Sequence, residues 1–353
     1  MIFSRLPLLY YIILFLTLLM PIVALAVIQN DSLSHEKQIV FLEKQVKQHP
    51  RSAELHAQLA QAYFDQLMHS RDLDVIVKVE AALADSFSVQ PNLKAFVVKA
   101  RLSNYRHQFV EAKQWANKAK QVTPQDTVVT AILTEALLGL GETHAAEKLL
   151  RDSTHEDFNI WASRGQLYAQ KHAFDKAAYA FEQAGIAAKQ QHTPSRALWA
   201  LVNQAGMYLD SDRPQQAKPL LEKAQAMDAN DFLLQVHWME YFIAHQQHDK
   251  AYRLAVTLLA QQVDPYLEAH AFTLAKSLGK HSQAKQHFER AEAYYLKAIQ
   301  RDEVFTLGAL ARLYCDAGLQ LKRARQLAHQ NMHYKRDPLA HETVQSTEHC
   351  ALN

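Results

Sequence analysis

Glycine is scarce, with eight residues in a chain of 353, and proline adds only ten. Strand-rich and doubly wound folds need glycine at their turns, so both are disfavoured. Two cysteines exclude a disulfide scaffold and a Cys-based zinc module. Neither sign of charge dominates: 38 Lys and Arg against 36 Asp and Glu leave a net charge of +2. That balance lacks the basic excess of a nucleic-acid binder, and no nucleic-acid partner is expected. Catalytic signatures are missing too, with no Gly-rich phosphate loop, no Gly-x-Ser-x-Gly elbow and no His-Glu-x-x-His. What is present is Ala, Leu, Gln and Lys, with 49% hydrophobic residues, enough for a real core. The expectation is an all-α, non-enzymatic chain that needs no cofactor and no metal.

The one long apolar run spans residues 6–28, behind the lone basic residue Arg5. Leu8 to Met20 fits the apolar stretch of a signal peptide, Pro21 ends it, and Ala24-Leu25-Ala26 supplies a small-x-small site with cleavage after Ala26. The whole run is also long enough to span a bilayer. Residues 1–26 are therefore read as a signal peptide or a retained N-terminal anchor. In both cases Arg5 stays inside and the remainder is exported, periplasmic or secreted if cleaved, anchored on the extracytoplasmic side if not. Membrane contact is expected only through residues 6–28. No Cys follows the run, so a lipid-modified N-terminus is not supported.

Beyond residue 50 one phrase recurs. Its clearest copy has Trp161, Gly165 and Tyr168, then Ala177, Phe181 and Ala184. A second has Leu201, Ala205 and Tyr208, then Ala217, Leu221 and Ala224. Aligned alanines fall at Ala112, Ala146, Ala177, Ala217, Ala251 and Ala284, spaced by 34, 31, 40, 34 and 33 residues. Less complete copies contain Ala60 with Tyr63, and Ala100 with Ala119. A degenerate eighth contains Ala311, Tyr314 and Ala324. A period near 34 with this residue order resembles the tetratricopeptide repeat family. The resemblance implies an α-solenoid, a right-handed superhelix of about seven to eight antiparallel helix pairs over residues 51–330.

The residue types have a physical reason. Helix axes packed at 8–10 Å leave no room for a branched side chain. Ala60, Ala100, Gly165 and Ala205 on first helices, and the aligned alanines on second helices, allow that approach. Trp161, Tyr168 and Phe181 fill the gaps beside them. No pair buries its apolar faces alone, so neighbours share stability. Where the period stretches, Lys189 to Arg196 reads as a longer loop and Phe288 to Arg301 as a longer helix. Residues 27–50 are expected to hold a capping helix, with Ser34 as N-cap and Ile39, Phe41, Leu42 and Val46 apolar. Residues 331–353 turn polar and read as a flexible C-terminal tail.

The 19 histidines suggest a metal-binding edge. His329 and His333 share a helix face, His245 and His248 one turn, and His107, His144, His172, His248 and His281 fall near the turns inside the pairs. Successive turns lie on the order of 10 Å apart, too far for one zinc with ligands at about 2 Å, so the favoured reading is solvated histidine. Cys315 reads as a core filler and Cys350 as a tail residue; an oxidising compartment could pair them, but with Cys350 in a disordered tail free thiols are the favoured reading. Cys350-Ala-Leu-Asn353 has the outline of a prenylation box, which its final Asn argues against.

The resemblance also implies where a partner sits. First helices line the concave side, where family members bind polypeptides. The repeat frame places Lys94, Arg101, Asn104 and Tyr105 of the second unit there. It adds Asn159, Gln166 and Gln170 of the fourth, Trp199 and Asp210 of the fifth, and Glu240 of the sixth. Amides can bond an extended backbone and aromatic residues can anchor a side chain. The Lys/Asn clamp that some relatives use for a C-terminal carboxylate is not matched, because Val97 stands where a basic residue is needed. The leading expectation is an exported interaction scaffold or adaptor holding a protein or peptide partner. Two alternatives stay open: a metal- or ligand-binding accessory protein using its histidines, and a structural oligomer stacked end to end.

Overall fold

The computed structural model describes residues 35–350. The apolar run at 6–28, the cleavage site and Ser34 lie outside the described residues. Among the described residues the chain is helical throughout, with one short 3₁₀ turn (Val304–Thr306) and no strand. Helix α1 (His35–Gln48) caps the start. Eight antiparallel pairs follow: α2/α3 (Ala53–Ser70, Asp74–Val89), α4/α5 (Leu93–Tyr105, Phe109–Val122), α6/α7 (Thr127–Gly139, Thr143–Arg151), α8/α9 (Phe158–Gln170, Phe174–Gln190), α10/α11 (Pro194–Asp210, Pro214–Met227), α12/α13 (Phe232–Ala244, His248–Leu259), α14/α15 (Pro265–Ser277, His281–Gln300) and α16/α17 (Leu307–Ala317, Leu321–Tyr334). Helix α18 (Pro338–Cys350) closes the series. We number these pairs as units 1–8.

The repeat pattern translates directly into packing. Ala60, Ala100 and Ala205 are wholly buried, as are Ala112, Ala146, Ala177, Ala184, Ala217 and Ala251, and Ala284 is 5% exposed. A Cβ at Gly165 would fall 2.6 Å from the ring of Phe181 on the paired helix. First helices start on side-chain caps: Ser52, Asn92, Asp126, Asp157, Asp231 and Asp264 each accept a hydrogen bond from a backbone N–H of the first turn. Inside units 2–7 the chain turns through a single left-handed residue: His107, Gly141, His172, Asp212, Gln246 and Gly279, with φ between 55° and 72°. Each lies five residues before its aligned alanine. His107 and His172 thus serve the turn's backbone geometry, a region where His is enriched among non-Gly residues.

Three expectations fail. Lys189 to Arg196 is no long loop, because α9 and α10 each extend to 17 residues and His192 (φ 55°) turns the chain between them. The expected flexible tail is ordered over 331–350, because α18 buries Leu339, Thr343 and Thr347, spaced by four residues along one face. Cys315 and Cys350 are not free: they form a disulfide with Cα atoms 5.7 Å apart, tying α18 to α16. In α1, Ile39 and Leu42 pack inward while Phe41 stays 55% exposed.

The superhelix closes on itself. Ala298 of α15 belongs to the core of units 1 and 2, with Tyr294 and Phe305 packed against that core. The Tyr294 hydroxyl donates to the Arg71 carbonyl (3.1 Å), and Arg106 Nε donates to Glu303 (2.8 Å). Arg301 pairs with Asp74, and the Arg336 N–H donates to the Gly139 carbonyl (2.8 Å). Residues 294–306 and 335–336 therefore lie against the first-helix C-terminal ends and intra-pair turns of units 1–3.

Candidate functional site

The inner wall splits into two stretches. In units 1–3 the chain covers its own groove. Tyr105 is 4% exposed, with its ring 5.3 Å from Phe305 and 6.5 Å from Phe64. Asn104 is buried and donates to the Ile132 carbonyl (3.0 Å) and to Glu135 (3.1 Å). Arg101 donates to Gln61 (3.1 Å) and lies over the Phe64 ring. Burial pushes the Arg101 guanidinium down from its ordinary range, and it pushes Glu135 up to about 8 against the pull of Arg101, Asn104 and Lys335. Lys335 and Asp337, both nearly fully buried, pair at 3.3 Å beside this cluster. Asn104 and Tyr105 are thus buried and not an open partner surface, while Arg101 is half-buried. Lys94 pairs with Glu54 of the neighbouring unit at 2.5 Å.

In units 4–6 the wall keeps free polar atoms. Gln166 is 4% exposed and neither atom of its amide has a partner among the described residues. One turn further, Gln170 donates weakly to the Leu138 carbonyl (3.4 Å) while its Oε1 stays unpartnered. Asn159 donates to the Thr127 hydroxyl (2.9 Å) and joins α8 to α6. Asp210 and Glu240 come from adjacent units. Burial raises both carboxyls above their ordinary range, and the charge of Glu240 raises Asp210 further. His237 holds Glu240 through Nδ1 at 2.6 Å. Trp199 does not reach this wall: its indole packs edge-on against Phe158 (5.6 Å) and Phe181 (5.7 Å) between units 4 and 5. The frame that selects Gln166 and Glu240 also selects Glu135 in unit 3, which the sequence reading passed over. His237 gave no signal, because it sits outside the frame on an apolar helix.

The histidines do not form a metal edge. Among the described residues no group of three or more His, Cys, Asp or Glu is arranged to hold a metal ion. His107 is not solvated but 5% exposed, stacked on Phe109, and burial holds its imidazole well below the usual range. His329 and His333 lie on α17, where His329 meets Glu348 at 3.2 Å. No described helix is long and apolar enough to cross a membrane.

No family model matches the chain, and no curated protein matches it. Solved structures do. Cut9, in the APC/C hetero-tetramer Cut9–Hcn1, superposes with a TM-score of 0.53 at 13% identity over 95% of this chain and 62% of its own. The fold is that of tetratricopeptide repeat proteins. A human IFIT1 dimer with m7Gppp-AAAA gives 0.51 at 15% identity, over 89% of this chain and 77% of that one. An IFIT1 monomeric mutant with Gppp-AAAA gives 0.53 at 15% identity, over 88% and 76%. At these identities the likeness concerns the fold. The chain spans under two thirds of the Cut9 chain.

Proposed function

We propose that this protein is a non-enzymatic scaffold that holds an extended polypeptide along the inner wall of units 4–6. One observation carries the reading: buried amide and carboxyl atoms stay unpartnered at Gln166, Gln170, Asp210 and Glu240, while in unit 2 the chain bonds Arg101 and Asn104 itself and, of their atoms, leaves Asn104 Oδ1 alone without a partner. Amides at successive turns can serve a strand-like backbone with both donors and acceptors. The carboxyls of Asp210 and Glu240 disfavour a phosphate backbone at the same place, which argues for polypeptide over nucleic acid. Tyr252, His287 and Glu268 form a relay that resembles a catalytic one, with Tyr252 Oη 3.3 Å from His287 Nε2. All three are buried, and burial raises the Tyr252 phenol, the opposite of what a nucleophile needs. The relay fastens α13, α14 and α15 together.

We place the protein outside the cytosol, delivered by residues 1–26 as a cleaved signal or retained anchor. The disulfide between Cys315 and Cys350 supports an oxidising compartment. The test is photo-crosslinking in the native host, with a benzophenone amino acid at Gln170 on the inner wall or at Tyr179, 56% exposed, as a control outside the wall. Polypeptide adducts from Gln170, lost when Gln166→Ala is added and absent from Tyr179, are expected. Adducts from Tyr179 alone, or from neither site, would reject the groove.

A further inference from the structure

Units 5 and 6 assemble hydrogen-bond acceptors with no donor to match them. Asp210 ends α10 and Glu240 lies on α12, and neither Asp210 Oδ2 nor Glu240 Oε1 has a partner. His237 supplies a third acceptor. In the neutral tautomer that donates Nδ1–H to Glu240 at 2.6 Å, Nε2 keeps a lone pair. The ring is fully buried and Nε2 has no partner. It lies against Gly206, where a Cβ would fall 3.0 Å from it, one helical turn before Asp210. A side chain at Gly206 would push this nitrogen off the inner wall.

Buried acceptors without donors are costly, and two carboxyls facing each other add repulsion. Glu240 keeps 12% of its side chain exposed, while the three acceptor atoms themselves are buried. A metal ion would need these ligands to converge on one point, and no described set of three does so. A cation that carries several N–H donors suits spread acceptors instead. Guanidinium offers five in a planar fork, and ammonium offers three. We propose that Asp210, Glu240 and His237 form a subsite for the cationic side chain, Arg or Lys, of the polypeptide held in the groove. This anchor rests on the groove reading above and gives it a chemical selectivity.

The probes are acetylated, amidated nonapeptides of randomised Ala, Ser and Gln with one central residue: Arg, Lys, norleucine or Glu. Binding to the full chain is followed by calorimetry. The Arg and Lys sets are expected to bind at least tenfold more tightly than norleucine, with Glu weakest. Asp210→Asn with Glu240→Gln should erase that preference while the norleucine set binds as before. Both changes remove repulsion, so the thermal midpoint should hold or rise. Asp210→Asn alone gives an intermediate loss. Equal binding of all four sets to the unaltered protein overturns the anchor and leaves the groove standing. Binding of none overturns both. A thermal shift with zinc alone, abolished in the double variant, would assign the carboxyls to a metal and overturn the anchor as well.

Discussion

Close packing in this fold is decided by single methyl groups. At Gly165 the added Cβ of alanine would sit 2.6 Å from Phe181, whose ring is held in turn by Trp199. The ring cannot swing aside without disturbing the contact between units 4 and 5. Gly165→Ala is therefore expected to lower stability by about 1–3 kcal/mol, the cost of overpacking. Gly185 on α9 is the matched control, because its Cβ would meet only Ala200, at an ordinary 3.5 Å. Gly185→Ala should be neutral or stabilise by up to about 1 kcal/mol through helix propensity. Urea midpoints at constant slope measure both; equal midpoints for the two variants would show that Phe181 yields freely. Gly165 was legible in the sequence, since a size constraint repeated every 34 or so residues leaves a mark that no single copy carries. His237 and Gly206 were not, because their meaning arises only when two helices distant in sequence touch.

Among the elements, α18 departs most from its sequence. Its inward face pairs Leu339 with Thr343 and Thr347, and threonine reads as polar although both are 1% exposed here. Their hydroxyls bond back to the Leu339 and Val344 carbonyls, which frees the methyl groups for packing. Arg312 adds a hydrogen bond to the Thr343 hydroxyl at 2.9 Å. The disulfide between Cys315 and Cys350 then closes a loop of 35 residues. Chain-entropy reasoning assigns such a loop about 3–4 kcal/mol. Reduction, or Cys350→Ser, should lower the thermal midpoint and expose α18 to proteolysis before the repeats. An identical midpoint with and without reductant would mean that helix packing alone holds this end. Apart from α18 and the extended α9 and α10, helix types and repeat register were readable from the chain, and the groove frame located Gln166, Gln170 and Glu240. Among its misassignments, Tyr105 is covered from the far end of the chain by Phe305. Small rotations accumulate over eight units until the last covers the first, and no window of sequence contains that sum.

Closure also makes the whole molecule sensitive to pH. It gathers Arg101 and Glu135 from the first half with Lys335, Asp337 and Arg312 from the last, beside His107 and His270. Burial is the largest cause for each shifted group: Glu135 rises to about 8, Lys335 falls to about 8, His270 falls to about 4 and His107 falls well below its usual range. A carboxyl raised on folding keeps its proton where the unfolded chain has released it. Its contribution is present at low pH and is lost as pH climbs towards 8. The histidines act in the other direction. Held neutral in the fold, they contribute above about 6.5, the ordinary imidazole value, and that contribution is lost as pH falls towards 4. Lys335, lowered on folding, favours the native state only as pH rises above 8. Stability should therefore peak near pH 6.5 and decline towards pH 8, with Glu135 supplying roughly 1–2 kcal/mol of that decline. Glu135→Gln keeps the hydrogen bond from Asn104 and cannot ionise, so it should flatten the limb between pH 6.5 and 8 while leaving the acid limb intact. Urea unfolding of both proteins at half-unit pH steps measures the slopes. Parallel curves across that window would show that Glu135 is already ionised in the native ring, held by Arg101 and Lys335, and that closure carries no alkaline weakness of this origin.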